Sequence, residues 1–559
     1  MQITENLNPK QKEAVTSIEG PILVIAGPGS GKTKCLTHRI AYLIDQNIPA
    51  DNILAVTFTN KAAQEMKERV VRIVRNVKFD RSLRSVKNNL NLSNNSNKSN
   101  IPTSPSIGTF HSICLQILRR EIDKLGYKKQ FVIYDDNDQI SLIKQIIKDL
   151  QISTDQFKPN TVQNAISQAK NELKNYRNYQ EEASDYFPQT IAKIYTKYQQ
   201  ELKQASAVDF DDLIMLVVQI FKEYPETLAK YQNRWSHILV DEAHDTNHSQ
   251  YVLINLLAKK NKNVWLIADP DQSIYSWRGA DFRNILNFEK DYPNTKTIVL
   301  DQNYRSTKNI LEASHHLINK NTERKEKNLF TNNPEGAPIN VNELSSENEE
   351  GWFLTTEIDN LMNNDYSLKD VVVLYRANAQ SRAIEEALLK ANMPYKIIGT
   401  VRFYDRKEIK DILSYLKFIT NSDDLISLQR IINMPPRRLA KFSKQPDTKS
   451  ALSIFQGADI AEINLAKQSA TNLKLFYETI NELQKESKKV KLTELINLII
   501  KKIGYEKYIR DGKEEGERRW ENICEILTVA EKYDNLEPPI GLERFLEETT
   551  LLSSQDELD

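Results

Sequence analysis

Eight consecutive residues, Ala26-Gly27-Pro28-Gly29-Ser30-Gly31-Lys32-Thr33, have the types and spacing needed to grip a phosphate chain. Glycines let backbone N–H groups turn inward, the lysine offers a point charge to the β- and γ-phosphates, and the threonine hydroxyl reaches Mg²⁺. The strict pattern opens on glycine; Ala26 stands there instead, a small change. A second signal is Asp241-Glu242, delivered by the apolar run Ile238-Leu239-Val240. It supplies the other half of a triphosphatase site, with Asp241 for the metal and Glu242 to polarise the attacking water. An acidic pair standing alone reads as a helix cap. Beside a glycine loop, the chemical reading prevails.

Such residues need a rigid frame. Pro21–Ala26 is a short β-branched run before the glycines, and an amphipathic stretch follows from Lys32. The same alternation recurs at Ile53–Phe58 with Lys61–Val74, His237–Asp241 with Ser249–Leu257, and Val264–Ala268 with Phe282–Phe288. Apolar strands alternating with helices predict an α/β fold with a parallel sheet covered on both faces. Val371–Tyr375 and the helix Arg382–Ala391 repeat the theme, so a second α/β unit is expected to begin near Leu300. Residues 116–205 and 405–550 read as mainly helical by period. Asn88–Asn100, an Asn/Ser-rich stretch, cannot bury enough apolar area to offset its ordering entropy and predicts a disordered surface loop.

The chain has 559 residues, which suggests about four units as a prior. Lys+Arg 76 balances Asp+Glu 76, which excludes a wholesale polycation and leaves room for a local basic groove. Cys35, Cys114 and Cys524 lack the spacing of a disulfide framework or a zinc site. The longest apolar run, Leu213–Val218, falls far short of the roughly 20 residues of a membrane span. The opening MQITENLNPKQKEA has no basic-then-apolar leader. A cytoplasmic protein is expected.

From about residue 5 to 420, the chain resembles the UvrD/PcrA/Rep group of superfamily-1 DNA helicases. The matching strings are AGPGSGKT (26–33), TFTNKAA (57–63), GTFHS (108–112), DFDDL (209–213), DEAHDTN (241–247), DPDQSIYSWRGAD (269–281), QNYRS (302–306), YRANAQSR (375–382) and FYDRKEIKDIL (403–413). The resemblance implies ATP and Mg²⁺ as cofactors, single-stranded DNA and duplex junctions as partners, and 3′→5′ movement in DNA repair or replication. By position, Gln11 would read the adenine edge and Tyr304 would stack on its ring. Residues 26–34, Lys34 included, would cradle the phosphates. Thr33 and Asp241 would hold the metal. Gln272 would sense the γ-phosphate, and Arg305 would stabilise transition-state charge beside Lys32 and Glu242. Phe58, Tyr275 and Trp277 would be base platforms, with His111, Arg278, Arg376 and Asn378 along the strand. Aromatic faces interleaved with cations, as in Tyr275-Ser276-Trp277-Arg278, are what a sequence-tolerant single-strand track needs. A buried core role is the competing reading for Trp277, and Trp265, inside an apolar strand, is assigned to the core.

The resemblance implies a first RecA-like domain over 1–115 and 206–299, with 76–106 a disordered loop, and a helical insertion over 116–205. Residues 300–404 would form the first half of a second RecA-like domain, and 405–559 a helical insertion subdomain. Three departures stand out. Ala243-His244 follows Asp241-Glu242 where the family has Tyr-Gln, and the His244 charge is expected to vary near neutral pH. Asn433–Lys441 replaces a glycine turn, leaving Arg437 and Arg438 to meet phosphates or solvent. No T-x-H-x-x-K-G-L-E string or later arginine motif occurs in the 559 residues. The expectation is therefore a truncated relative with an incomplete second RecA-like unit, completed by a second polypeptide. The alternative is a remnant that binds ATP and DNA without productive unwinding. A nuclease is the weakest reading, since no metal-ligand cluster stands out.

Overall fold

The computed structural model describes residues 3–88, 104–276, 279–321, 327–377, 380–397, 403–443, 447–457, 467–510 and 512–551. Its frame is a six-stranded parallel sheet built from β1 (Ile22–Ala26), β2 (Ile53–Thr57), β3 (Ser106–Thr109), β6 (His237–Val240), β7 (Val264–Ala268) and β8 (Lys296–Leu300). Two short strands, β4 (Val132–Tyr134) and β5 (Ala207–Asp209), pair separately and in parallel. In the large sheet the order is β3-β2-β6-β7-β1-β8.

Alternation along each strand explains why helices cover both faces. Leu23, Ile25, Leu54 and Val56 join Phe110, Ile113, Leu213 and Val217 in one core. Ile22, Val24, Ile53 and Ala55 point the other way, onto Leu36, Ile40 and Met66. Successive side chains leave opposite faces of a strand, so a run that is apolar throughout needs cover on both. Trp265 is buried in this second core, as expected. Because all six strands run in parallel, their C-terminal ends and the loops after them share one edge. That edge is where ligands bind in open α/β sheets.

Helices from Asp136 to Gln204 pack around β4 and β5 with their own core of Leu142, Ile146, Ile191 and Tyr198. Residues from Phe403 onward form a helical body cored by Ile412, Leu416, Phe476, Leu495 and Ile526. The two meet through polar contacts, Tyr134 Oη to Asp424 at 2.8 Å and Lys417 to Asp138 at 2.8 Å. No helix among the described residues is long and apolar enough to cross a membrane.

Two local readings change. A helix spans Asn60–Asn88, entering the stretch expected as loop from residue 76, because nothing before Asn88 is a glycine or proline that would stop it; residues 89–103 lie outside the described ones. Val371–Tyr375 pairs with no strand among the described residues, and Val372 is 73% and Leu374 87% exposed. An apolar run becomes a strand only with a partner ladder, and among the described residues none lies beside it. After β8, pairing among the described residues continues only between β9 (Gln302–Asn303) and β10 (Phe330–Thr331).

Candidate functional site

The chain after β1 turns where only glycine is comfortable. Gly29 and Gly31 have φ of 66° and 86°, and Gly31 opens the helix Lys32–Asp45. The turn is also crowded. A Cβ at Gly27 would stand 2.4 Å from Leu329, at Gly29 2.7 Å from Arg305, and at Gly31 2.9 Å from Gln11. Ser30 bonds back to the Gly27 carbonyl at 2.7 Å, and Lys34 Nζ donates to the Asn6 carbonyl. Ala26, the last residue of β1, is fully buried, so a small side chain suits the position.

Lys32 Nζ lies 2.6 Å from Glu242 Oε2. Glu242 holds a left-handed backbone, φ 47° and ψ 44°, which costs an L-residue roughly 1–2 kcal/mol. That strain turns its carboxylate from the end of β6 toward the glycine loop. Buried Asp241 is pushed up to about 7 by burial and then by the Glu242 charge, with Lys32 opposing. Asp245 is likewise raised to about 7 by burial and the Glu242 charge. The carboxyls of Asp241, Glu242, Asp245, Asp269 and Asp271 share this edge with two ammonium groups, Lys32 and Lys327. An excess of acid on this edge, with Asp241 and Asp269 buried, fits a divalent cation with oxygen ligands.

His244 behaves differently from its sequence expectation. It is 2% exposed, and burial, with Lys32 and Lys327 nearby, lowers its imidazole to about 3. It stays neutral at physiological pH, and Nδ1 accepts the Asp269 backbone N–H at 3.1 Å. Asp269, fully buried after β7, accepts from Gln272 Nε2 at 2.6 Å.

The segment after β8 folds over the glycine loop. Asn303 Nδ2 donates to the Pro28 carbonyl at 2.7 Å, and Tyr304 N donates to the Gly29 carbonyl at 2.9 Å. Asn303 Oδ1 accepts the backbone N–H groups of Arg305 and Ser306, fixing the turn that aims Arg305. Tyr304 is 48% exposed, with its hydroxyl 2.8 Å from Asn8 Nδ2. Gln11 is buried and already bonded at both ends of its amide, to the Asn8 N–H and to the Ser30 carbonyl at 2.8 Å. One amide N–H is left to offer.

Residues after β2 and β3 project from the same edge. The rings of Phe58 and Tyr275 stack with centroids 5.6 Å apart and planes at 20°. His111 meets Phe210 edge-on, and burial lowers it to about 4, so it contributes a neutral ring there. Arg376 is exposed, with its N–H held by Gln380 Oε1 at 3.0 Å. Trp277, Arg278 and Asn378 lie outside the described residues. Arg437 is turned inward, onto Tyr415 Oη at 2.6 Å and the Ile431 carbonyl, which removes it from the phosphate-contact reading; Arg438 stays exposed. Asp209 and Asp212 clasp the buried Lys170 at 2.6 and 2.8 Å, and Asp211 accepts from Asn171. The acidic cluster thus ties the helical insertion to the sheet body.

Three contributors were given no role by the sequence reading: Asp269 as the hub of the Gln272 loop, Asn303 as a clamp on Pro28, and Lys327. Only Asn303 had a usable signal, since Asn starting a turn favours bonds to the N–H groups two and three residues on.

A glycine loop after one buried parallel strand, an acid pair two strands away, and a covering segment define a P-loop nucleoside triphosphatase. A family model described as the UvrD/REP helicase N-terminal domain matches residues 7–293, and one described as the UvrD-like helicase C-terminal domain matches 298–558. The ATP-dependent DNA helicase PcrA of Staphylococcus aureus (strain COL) is 44% identical over all of this chain and 74% of its own length. PcrA of Staphylococcus epidermidis (strain ATCC 12228 / FDA PCI 1200) is 43% identical over the same shares. The chain belongs to the UvrD/Rep helicase family. The expectation of a truncated relative is not supported by these matches, because both family domains are matched, the second over 298–558. A completing second polypeptide has no support.

Proposed function

We propose that the chain is an ATP-dependent DNA helicase that hydrolyses ATP to move 3′→5′ along single-stranded DNA and open duplex junctions in the cytoplasm, in repair or replication. The observation that carries the reading is the 2.6 Å approach of Lys32 to Glu242 on the sheet edge that also bears the Phe58–Tyr275 stack. Phosphate chemistry and base stacking share one rigid frame, as a motor that couples them requires.

Lys32 would exchange Glu242 for the β- and γ-phosphates, and the freed carboxylate would accept a proton from the attacking water. Thr33 and Asp241 would hold Mg²⁺, which draws charge from the phosphates. The backbone of Gly27–Gly31, flanked by Ala26 and Lys34, would cradle the chain. Tyr304 would stack on adenine while Gln11 offers its remaining N–H to the base edge. Arg305 would neutralise charge growing in the transition state, and Gln272 would report the γ-phosphate to the neighbouring loop. Phe58, Tyr275 and Trp277 would grip bases, with His111, Arg278, Arg376 and Asn378 along the backbone. Relative movement of the segment bearing Tyr304 and Arg305 against the sheet would convert hydrolysis into steps.

ATP hydrolysis with and without single-stranded DNA, with Glu242→Gln as the blank, tests the reading. Stimulation by DNA is expected, followed by displacement of a strand from a 3′-tailed duplex. Absence of DNA stimulation, or displacement only from a 5′-tailed duplex, would overturn it.

A further inference from the structure

Lys327 is a lysine with almost no access to water: its side chain is 1% exposed. Its Nζ bonds Asp269 Oδ1 and lies 3.1 Å from Asp271 Oδ2. Burying a cation costs several kcal/mol unless it is paired and hydrogen-bonded, and an apolar side chain would fill the same space at no such cost. The pair also joins positions 58 residues apart. Something beyond packing is therefore worth asking of it.

What Lys327 holds is the carboxylate that aims Gln272. Asp269 accepts from Lys327 and, through its other oxygen, from Gln272 Nε2 at 2.6 Å. The Asp269 backbone N–H goes to His244, two residues beyond Glu242. On its other side Lys327 begins a short segment with fixed attachments. Leu329 covers Gly27 of the glycine loop. Phe330 and Thr331 pair with Gln302 and Asn303, immediately before Tyr304 and Arg305. One five-residue stretch thus touches the phosphate loop, the strand leading to Arg305, and the carboxylate behind Gln272.

We propose that Lys327 is a positioning residue: through Asp269 it fixes the Gln272 amide, so that Gln272 is aimed only when the segment carrying Tyr304 and Arg305 is seated on the glycine loop. The inference rests on the reading above in which Gln272 meets the γ-phosphate. It deepens that reading by naming the group that makes the contact conditional on closure. Two elements far apart in sequence then act on one phosphate in concert, because a single ammonium group links them.

The test uses the full chain, steady-state ATP hydrolysis at saturating oligo-dT, and the affinity for a non-hydrolysable ATP analogue. Lys327→Met is expected to lower kcat by about 10²-fold, the scale of a misplacement near 1 Å. KM and analogue affinity should stay within about threefold of wild type, since the variant leaves the glycine loop itself intact. Lys327→Arg keeps the charge but cannot put its planar fork at the same point between both carboxylates, so a kcat between those of wild type and Lys327→Met is expected. Gln272→Ala supplies the second arm. If Lys327 acts through Gln272, the double variant Lys327→Met/Gln272→Ala is no slower than Gln272→Ala alone, whereas independent roles multiply. Multiplying losses, a raised KM with kcat intact, or a lowered melting temperature with kinetics unchanged would each overturn the proposal. If Lys327→Met fails to fold, Lys327→Arg in both backgrounds decides: a loss masked by Gln272→Ala supports the proposal, and a wild-type rate or a multiplying loss overturns it. Failure of the underlying reading has its own signature, a wild-type chain whose hydrolysis is indifferent to DNA or survives Glu242→Gln.

Discussion

Replacing Glu242 by Gln removes one charge, keeps the side chain's shape, and separates two jobs that the structure gives to one carboxylate. The first is proton acceptance from water. An amide cannot do it, and losing a positioned base typically costs 10²–10⁴-fold in rate, so kcat is expected to fall by about 10³-fold. The second is the grip on Lys32, whose Nζ lies 2.6 Å away. Coulomb's law at an effective dielectric of 20 gives roughly 6 kcal/mol at that distance. That overstates the net value, because Glu242 is 33% exposed and Lys32 11%, and partly exposed pairs contribute about 1 kcal/mol after solvent screening. ATP must displace this pair to reach Lys32. Removing it should therefore leave ATP binding intact or tighten it by about fivefold, the equivalent of about 1 kcal/mol. A fluorescent ATP analogue titrated into wild type and variant reads the affinity, and phosphate release reads kcat. Hydrolysis within twofold of wild type would refute the assignment of Glu242 as base. Weakened binding with lost turnover would refute the claim that Lys32 is held in reserve by this pair.

Tyr275→Ala removes one ring of the stacked pair with Phe58 and is expected to weaken single-stranded DNA binding by about 1–3 kcal/mol, with ATP affinity unchanged; fluorescence anisotropy on oligo-dT reads it, and equal loss of both ligands would indicate a folding role instead. Lys170→Met strands the buried carboxylates of Asp209 and Asp212 and is expected to cost about 3–5 kcal/mol in chemical denaturation, a change below about 1 kcal/mol refuting the pairing. His237, buried and beside Arg39, is lowered to about 4, so its stabilising contribution is complete above its unfolded value near 6.5 and is lost as pH falls from there toward 4. Melting temperature should drop across that window, and His237→Gln should flatten the drop; an unaltered slope would refute the assignment.

The parts legible in the sequence are those where the chemistry and the element that holds it are contiguous. Gly27–Thr33 directly follows β1, and Asp241-Glu242 directly follows β6, so strand signal and site signal reinforce each other over a few residues. Four strands of the sheet, β1, β2, β6 and β7, were readable for the same reason, being apolar runs buried on both faces, whereas β3 and β8, which open on Ser106 and Lys296, carry too little apolar signal. Where the outcome depends on what lies across space, the sequence was mute or misleading. His244 looked titratable because its burial and its two lysine neighbours come from other segments. Arg437 looked available for phosphate because its partners, Tyr415 and the Ile431 carbonyl, are set by helix packing. Val371–Tyr375 has every local mark of a strand, yet a ladder needs a partner that no local pattern supplies.

The same distinction bears on how the site works. Residues of the sheet body are held by backbone ladders and two apolar cores, and their relative positions cannot shift without breaking many bonds at once. The described stretches 301–306 and 327–331 reach the site differently, through a two-stranded ladder, the Asn303 amide on Pro28, the Tyr304 N–H on Gly29 and its hydroxyl on Asn8, Leu329 on Gly27 and a buried lysine between two carboxylates. A joint made of a two-residue ladder and separate side-chain contacts opens at lower cost than a six-stranded sheet, and such regions are the ones that move in gating steps. Arg305, Tyr304 and Lys327 all sit on that joint. If the joint opens, adenine stacking, transition-state charge and the aim of Gln272 are lost together, whereas the Lys32–Glu242 pair remains. Hydrolysis would then be permitted only in the seated state, which is the condition a motor needs if each turnover is to accompany one movement.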